Sequence, residues 1–328
     1  IVDDRGRSAE AAKAMEKLYD QGVAAVLVGY TSEEELAVKS EALRLQLPVM
    51  TPAGSNDNIT ERNPYMLRTN SSDRQQAKAL AYYAYYPRGC RRMASLLNLD
   101  ENAVYARDLG RQTAQAFVDC GGALVFSGGF RENQTDFRPL LREVLTGMPD
   151  VVFVPAFPAT AGRIIRQLRE LGYRGLILGG DSWSGEKLLK ECGPDAAPAS
   201  FTVPFAVGGE SKEEKAFSEL FQLMYRKEPT NNAALGYDAL LLTYHATRET
   251  VYPEEVLARF RLLRSFRGAA GELSVLPEGD VRRTVVIQQV ASDGKDAMKF
   301  RTERRISPDR IDREAEPVEK KVNNGLFN

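Results

Sequence analysis

Short apolar runs alternate along the chain with longer segments in which apolar residues recur at helical spacing, as far as about residue 200. The runs predict strands at 23–28, 47–51, 92–98, 123–127, 150–154 and 175–179. The periodic segments predict helices at 8–20, 32–46, 72–86, 107–119, 136–146, 160–172 and 185–192. A continuous apolar run suits a strand buried on both faces, so this alternation implies an α/β fold of mostly parallel sheets flanked by helices. Punctuation agrees. Ser8 and Asp73 stand where helices start, Thr135 or Asp136 opens another, and Gly22, Gly121 and Gly172 stand where helices stop. Ile1 to Gly6 reads as the end of a strand running into a turn. After residue 200 the rhythm changes, to a strand near 201–203, helices over 211–227, 232–249 and 253–263, and strands near 273–276 and 284–290. Residues 301–328 are charged with little periodicity and read as a tail.

The stretch from Val23 to Ser55 holds the densest local information. Its first apolar run stops at Gly29, followed by Tyr30-Thr31-Ser32 and Glu33-Glu34-Glu35 at the head of a helix. Its second ends in Thr51-Pro52-Ala53-Gly54-Ser55. In a parallel sheet both turns lie at the carboxyl ends of their strands, where ligands bind. Ser32 and Glu35 have capping-box spacing, which predicts backbone amides pointing at that edge and a place for a carboxylate.

Composition narrows the classes. The chain has 328 residues, room for two domains, and its 43% hydrophobic content argues against disorder. Lys and Arg number 44 against 45 Asp and Glu, so no basic excess points to nucleic acid or an anionic membrane. No apolar run approaches a membrane span. The chain begins at Ile1, so the lack of a signal peptide says nothing about compartment. Cys90, Cys120 and Cys192 lack metal-ligand spacing. Cys90 and Cys120 each precede a predicted strand, and either pair at one end of a sheet or are ordinary buried residues. The single histidine, His245, lies within a helical pattern and reads as structural.

Catalytic patterns are scarce. Gly180-Asp181-Ser182-Trp183-Ser184-Gly185 follows a strand and precedes a helix but misses the G-x-S-x-G spacing. There is no G-x-G-x-x-G, no phosphate loop and no His/Cys/Asp cluster, so no cofactor and no metal is implied. Binding is favoured over turnover. What remains is a set of polar turns at strand ends: Thr31-Ser32, Ala53-Gly54-Ser55, Asp100 to Tyr105, Phe157 and Asp181. Each has a purely structural alternative as a cap, a turn or a core aromatic. Together they offer hydroxyl and amide donors in one half and aromatics with a carboxylate in the other, a complement for a zwitterion.

A series of motifs then carries a family resemblance. It comprises Asp3-Asp4-Arg5-Gly6, Asp20-Gln21-Gly22-Val23 running into Val28-Gly29-Tyr30-Thr31-Ser32, and Leu47-Pro48-Val49-Met50-Thr51-Pro52-Ala53. It continues through Tyr65-Met66-Leu67-Arg68-Thr69, Thr135-Asp136-Phe137, Pro149-Asp150-Val151-Val152-Phe153, Ile165-Arg166-Gln167, Leu171-Gly172, Gly179-Gly180-Asp181 and Leu235-Gly236-Tyr237-Asp238-Ala239. In this order, over about residues 1–290, the chain resembles the type I periplasmic solute-binding proteins, in the branched-chain amino acid (Leu/Ile/Val) branch that serves ABC transporters. The resemblance implies two α/β lobes joined by three crossings and a ligand in the cleft, closed by a hinge. It assigns 1–70 and 204–280 to lobe I, 71–203 and 281–300 to lobe II, and 301–328 to the tail, with crossings at 68–72, 201–205 and 276–281. It further implies that Thr31 or Ser32, Ala53, Gly54 and Ser55 hold a ligand carboxylate, that Tyr105 and Phe157 line the pocket, and that Asp181 takes the ammonium.

Three departures stand out. The family's first strand and helix are absent ahead of Ile1, Phe157 replaces a common tyrosine, and the turn at Asp100-Glu101-Asn102 is acidic. The implied function is extracytoplasmic capture of a small, aliphatic amino acid for an ABC permease, without enzymatic activity and with a lipid anchor as an option in the full-length protein. The alternative is a sensory or regulatory domain of the same fold that binds amides, aromatic acids or amino acids.

Overall fold

The computed structural model describes residues 1–29, 31–101, 103–292 and 298–314. The elements, in order, are α1 (Ser8–Asp20), β1 (Val26–Leu27), α2 (Ser32–Ala37), α3 (Lys39–Leu45), β2 (Val49–Thr51), β3 (Met66–Arg68), α4 (Asp73–Tyr85), β4 (Arg92–Asn98), α5 (Val104–Asp119) and β5 (Ala123–Phe130). Then follow α6 (Arg138–Thr146), β6 (Val151–Phe153), α7 (Pro158–Glu170), β7 (Leu176–Gly179), α8 (Glu186–Cys192), β8 (Ala199–Val203), α9 (Lys212–Tyr225), α10 (Asn231–Thr247) and α11 (Pro253–Leu262). The last are β9 (Phe266–Gly268), β10 (Gly271–Val275), β11 (Val281–Arg283), β12 (Val285–Ser292), β13 (Met298–Ile306) and α12 (Pro308–Glu314). The chain forms two compact units, Ile1–Ser72 with Pro204–Thr284 and Asp73–Val203 with Val285–Asn328.

The first unit is built on the parallel sheet β1-β2-β3, with Val26 opposite Val49 and Val49 opposite Met66. Successive residues of β2 and β3 point to opposite faces. Val49 and Met66 pack with Met15, Val38 and Ala42 on one side. Met50 and Leu67 pack with Leu242, Val256 and Phe260 of α10 and α11 on the other. Burial on both sides is why these strands read as unbroken apolar runs. The short antiparallel sheet β9-β10-β11 completes this unit.

The second unit is one seven-stranded sheet in the order β13-β12-β8-β7-β6-β4-β5. Strands β5, β4, β6, β7 and β8 run parallel, while β12 and β13 add antiparallel at one edge. Cys90 and Cys120 sit in the core of this unit beside Tyr83, Phe117 and Phe153. All three cysteines are buried, and burial pushes the Cys90 thiol up to about 11.

Several expectations require correction. Residues 1–4 form no strand. The run 23–28 yields a two-residue strand, because only Val26 and Leu27 find register partners on β2. The helix expected over 32–46 breaks at the buried Val38 into α2 and α3. Residues 281–283 do not join the second unit: they pair with β10, and Val281 shares a core with Leu273 and Val275. The supposed tail is structured in its first half. β13 pairs along the length of β12, and Ile311 of α12 is buried. The rest of that segment, 315–328, lies outside the described residues, as do Tyr30 and Asn102.

Candidate functional site

In the first unit, the turns after β1 and β2 meet through two side chains of α2. Ser32 and Glu35 are three residues apart and therefore share a helix face. The amides of Ala53 and Gly54 donate to Glu35 Oε1 at 3.3 and 2.9 Å. The amides of Ser55 and Asn56 donate to Ser32 Oγ, both at 3.3 Å. Four consecutive amides after β2 thus end on one helical turn. Behind them Arg68 of β3, fully buried, donates to the carbonyls of Ser55 and Asn56 at 2.8 and 2.7 Å. Asn70 donates to the carbonyl of Ala53 at 2.7 Å.

Two glycines make this approach possible. A Cβ at Gly29 or at Gly54 would overlap the Glu35 side chain, and Gly29 also has φ +95°, a conformation that favours glycine. Glu35 is fully buried, and its Oε2 makes no hydrogen bond. Burial raises its pKa from 4.5 to about 7, against the opposing pull of the Gly54 amide, the Arg68 charge and the Ala53 amide.

The capping box of α2 is therefore displaced by one residue from the expected pair. Thr31 is the N-cap: its hydroxyl accepts from the amide of Glu34 at 3.3 Å, and its own amide donates to Glu34 Oε2 at 3.1 Å. The structure brings Thr31, Ser32, Ala53, Gly54 and Ser55 together, as expected, but the donors work differently. The Ala53 and Gly54 amides, expected to face a ligand, are already occupied by Glu35. The Thr31 hydroxyl accepts the Glu34 amide and the Ser32 hydroxyl accepts the Ser55 and Asn56 amides, so both keep their protons to donate.

In the second unit, Tyr105, Phe157 and Asp181 follow the carboxyl ends of β4, β6 and β7. Tyr105 lies on the first turn of α5 rather than in a preceding turn. Its hydroxyl donates to Asp181 Oδ1 at 2.9 Å and accepts from the amide of Ser182 at 3.3 Å. The Tyr105 hydroxyl is held well above its ordinary pKa range by burial and by the charge of Asp181. Gly180 clears the space, since a Cβ there would overlap the Tyr105 hydroxyl and Leu109. The Asp181 amide donates to Gln76 Oε1 at 3.3 Å, and Gln76 also accepts from the Thr202 hydroxyl at 2.6 Å. Phe157 caps α7; its ring centroid is 6.3 Å from that of Tyr105, and the residue is 42% exposed, the open side of the cluster.

The acidic turn at Asp100 is held against the turn after β5. Asp100 accepts from the Glu132 amide at 3.0 Å and pairs with Arg131 at 3.4 Å. Glu132 in turn accepts from the Phe157 amide and the Asn98 side chain, both at 3.1 Å. Gln76 and Glu132 are supporting residues that the sequence reading missed, while Glu35 and Ser182 were named there only as a capping-box partner and in a rejected nucleophile motif. The place of Glu35 left a further signal in Gly29 and Gly54, the glycines of the two neighbouring turns. Among the described residues no cluster of three or more acids, cysteines or histidines forms a metal site. No described helix is long and apolar enough to cross a membrane.

Comparison with known proteins bears on this arrangement. A family model described as periplasmic binding protein matches residues 1–295. The Leu/Ile/Val-binding protein BraC3 of Rhizobium johnstonii is 24% identical over 221 residues, covering 67% of this chain and 59% of the relative. The Leu/Ile/Val-binding protein homolog 3 of Brucella melitensis is 23% identical over 203 residues, covering 62% of this chain and 54% of the relative. The chain thus spans less than two thirds of the length of these two relatives. Among solved structures, a leucine binding protein from Thermotoga maritima superposes with a TM-score of 0.83 at 27% identity, covering 94% of this chain and 87% of the other.

Proposed function

The chain belongs to the periplasmic binding protein family, and on that footing we propose that it is an extracytoplasmic solute-binding protein that captures a small aliphatic amino acid and delivers it to an ABC permease. Its curated relatives carry the name Leu/Ile/Val-binding, which supports that ligand class. In this reading Asp181 takes the ammonium, Tyr105 and Phe157 flank the side chain, and the hydroxyls of Thr31, Ser32 and Ser55 take the carboxylate. Ala53 and Gly54 contribute by seating Glu35. Phe157 supplies apolar surface without the hydroxyl a tyrosine would add. No group in these clusters has the nucleophile–base geometry of an enzyme.

The observation that carries the proposal is the Asp181 carboxylate, held by the Tyr105 hydroxyl at 2.9 Å beside a half-exposed aromatic ring. A buried ammonium needs a partner of opposite charge, and a fixed acid against an apolar wall supplies one. Replacing Asp181 by Asn keeps the shape and removes the charge. Calorimetry with L-leucine, L-isoleucine and L-valine is expected to show micromolar or tighter binding to the natural protein and a loss of about 2–5 kcal/mol in Asp181→Asn. Equal affinity in the two proteins would remove Asp181 from the site.

A further inference from the structure

We propose that Glu35 is a built-in carboxylate that occupies the anion slot of the first unit, so that this side chain decides how a ligand carboxylate is received there. The inference rests on the reading of the chain as an amino-acid binder. The slot itself is visible without it: two adjacent amides converge on one carboxylate oxygen, and a Cβ at either Gly29 or Gly54 would overlap the Glu35 side chain there. Adjacent backbone amides that converge in this way are a general means of holding an anion. In this chain the anion is covalently attached and completely buried.

Two consequences follow. A second carboxylate cannot share the Ala53 and Gly54 amides while Glu35 holds them, so a ligand carboxylate is received by hydroxyls beside a carboxyl group. An ionised Glu35 repels that ligand, and a neutral one does not. The groups facing Glu35 are the Arg68 guanidinium of β3, the Thr51 hydroxyl of β2, which donates to the Leu67 carbonyl at 3.0 Å, and the apolar Ile59 side chain near Gly54. Arg68 is spread over the carbonyls of Ser55 and Asn56 and makes no hydrogen bond to Glu35. Burial raises the Glu35 pKa to about 7, which places the change of charge in the neutral range.

The first test needs no amino acid. Glu35→Ala empties the slot, and formate is the probe. Increasing formate is expected to raise the melting temperature of Glu35→Ala, or to restore a cooperative transition if that variant is unfolded alone, with no comparable effect on the natural protein. Formate that acts equally on both proteins, or on neither, overturns the proposal. The second test uses Glu35→Gln, which keeps an oxygen for the two amides. Its affinity for L-leucine at about pH 8 is expected to exceed that of the natural protein about tenfold, and the difference to close at about pH 5, where Glu35 is neutral. L-leucinamide, which lacks the carboxylate, is expected to show no such gain. A gain that does not depend on pH, or no gain for L-leucine at either pH, overturns the electrostatic part of the proposal. Failure of every protein to bind L-leucine counts against the amino-acid reading and leaves the formate result to decide the slot.

Discussion

A carboxyl group that is fully buried and accepts two amides through one oxygen must leave a mark on stability. A glutamate titrates near 4.5 in the unfolded chain, and burial raises Glu35 to about 7 in the folded one. Between those values the folded state binds the extra proton more tightly. Stability therefore falls as pH rises through that window and is flat above it. Glutamine does not titrate, so Glu35→Gln is expected to match the natural protein at about pH 4.5 and to gain about 3 kcal/mol over it at about pH 8. Urea denaturation at the two pH values measures this, and a constant difference would show that Glu35 is not buried as described.

At this scale the chemistry of Thr31-Ser32-Glu33-Glu34-Glu35 was legible, but its register was not. Thr31 with Glu34 and Ser32 with Glu35 both satisfy the spacing of a capping box. The string of letters does not choose between them. The choice is made by the turn after β2, which brings the amides of residues 53–56 against the Ser32–Glu35 face.

Among the elements, β13 departs furthest from expectation. Its residues look like a charged tail because it is an edge strand, and Lys299, Arg301 and Arg304 are exposed. The alternation is also broken from within. Ile287 pairs with Arg304 and Gln288 with Thr302, so Glu303 is an extra residue in the strand. That bulge turns the Glu303 carboxylate onto the Tyr83 hydroxyl and onto Arg88 at 3.1 Å. The Phe300 ring packs edge-on against Phe201 of β8, with centroids 5.0 Å apart. Phe300→Ala is therefore expected to destabilise the protein by about 1–3 kcal/mol, less than a fully buried phenylalanine because Phe300 is half-buried. Thermal unfolding reads this directly, and an unchanged melting temperature would return the segment to the status of a loose appendage. β3 went unseen for a different reason. Three residues after Asn63-Pro64 are too few to show a period, although Arg68 at its end organises the whole turn at 55–57.

For the whole molecule, strand–helix alternation and the order of small motifs were enough to reach the fold and family, because each helix and strand signals its own period and caps. What sequence order does not carry is which polar groups satisfy one another, and that is where the reading of the first unit changed. The proposed function assigns ligand contacts to each unit. The hydroxyls of Thr31, Ser32 and Ser55 belong to the first unit, and Tyr105, Phe157 and Asp181 to the second. A ligand addressed by both sets must slow local opening in both. Hydrogen exchange with and without saturating L-leucine is therefore expected to show added protection in peptides covering 31–56 and in those covering 104–109 and 180–183. Asp181→Asn is expected to lose protection in both sets together, since a weakened ligand leaves both groups of contacts. Protection confined to the second unit would mean that the hydroxyls of the first play no part in binding. The anion slot held by Glu35 would then be purely a brace for the turn after β2.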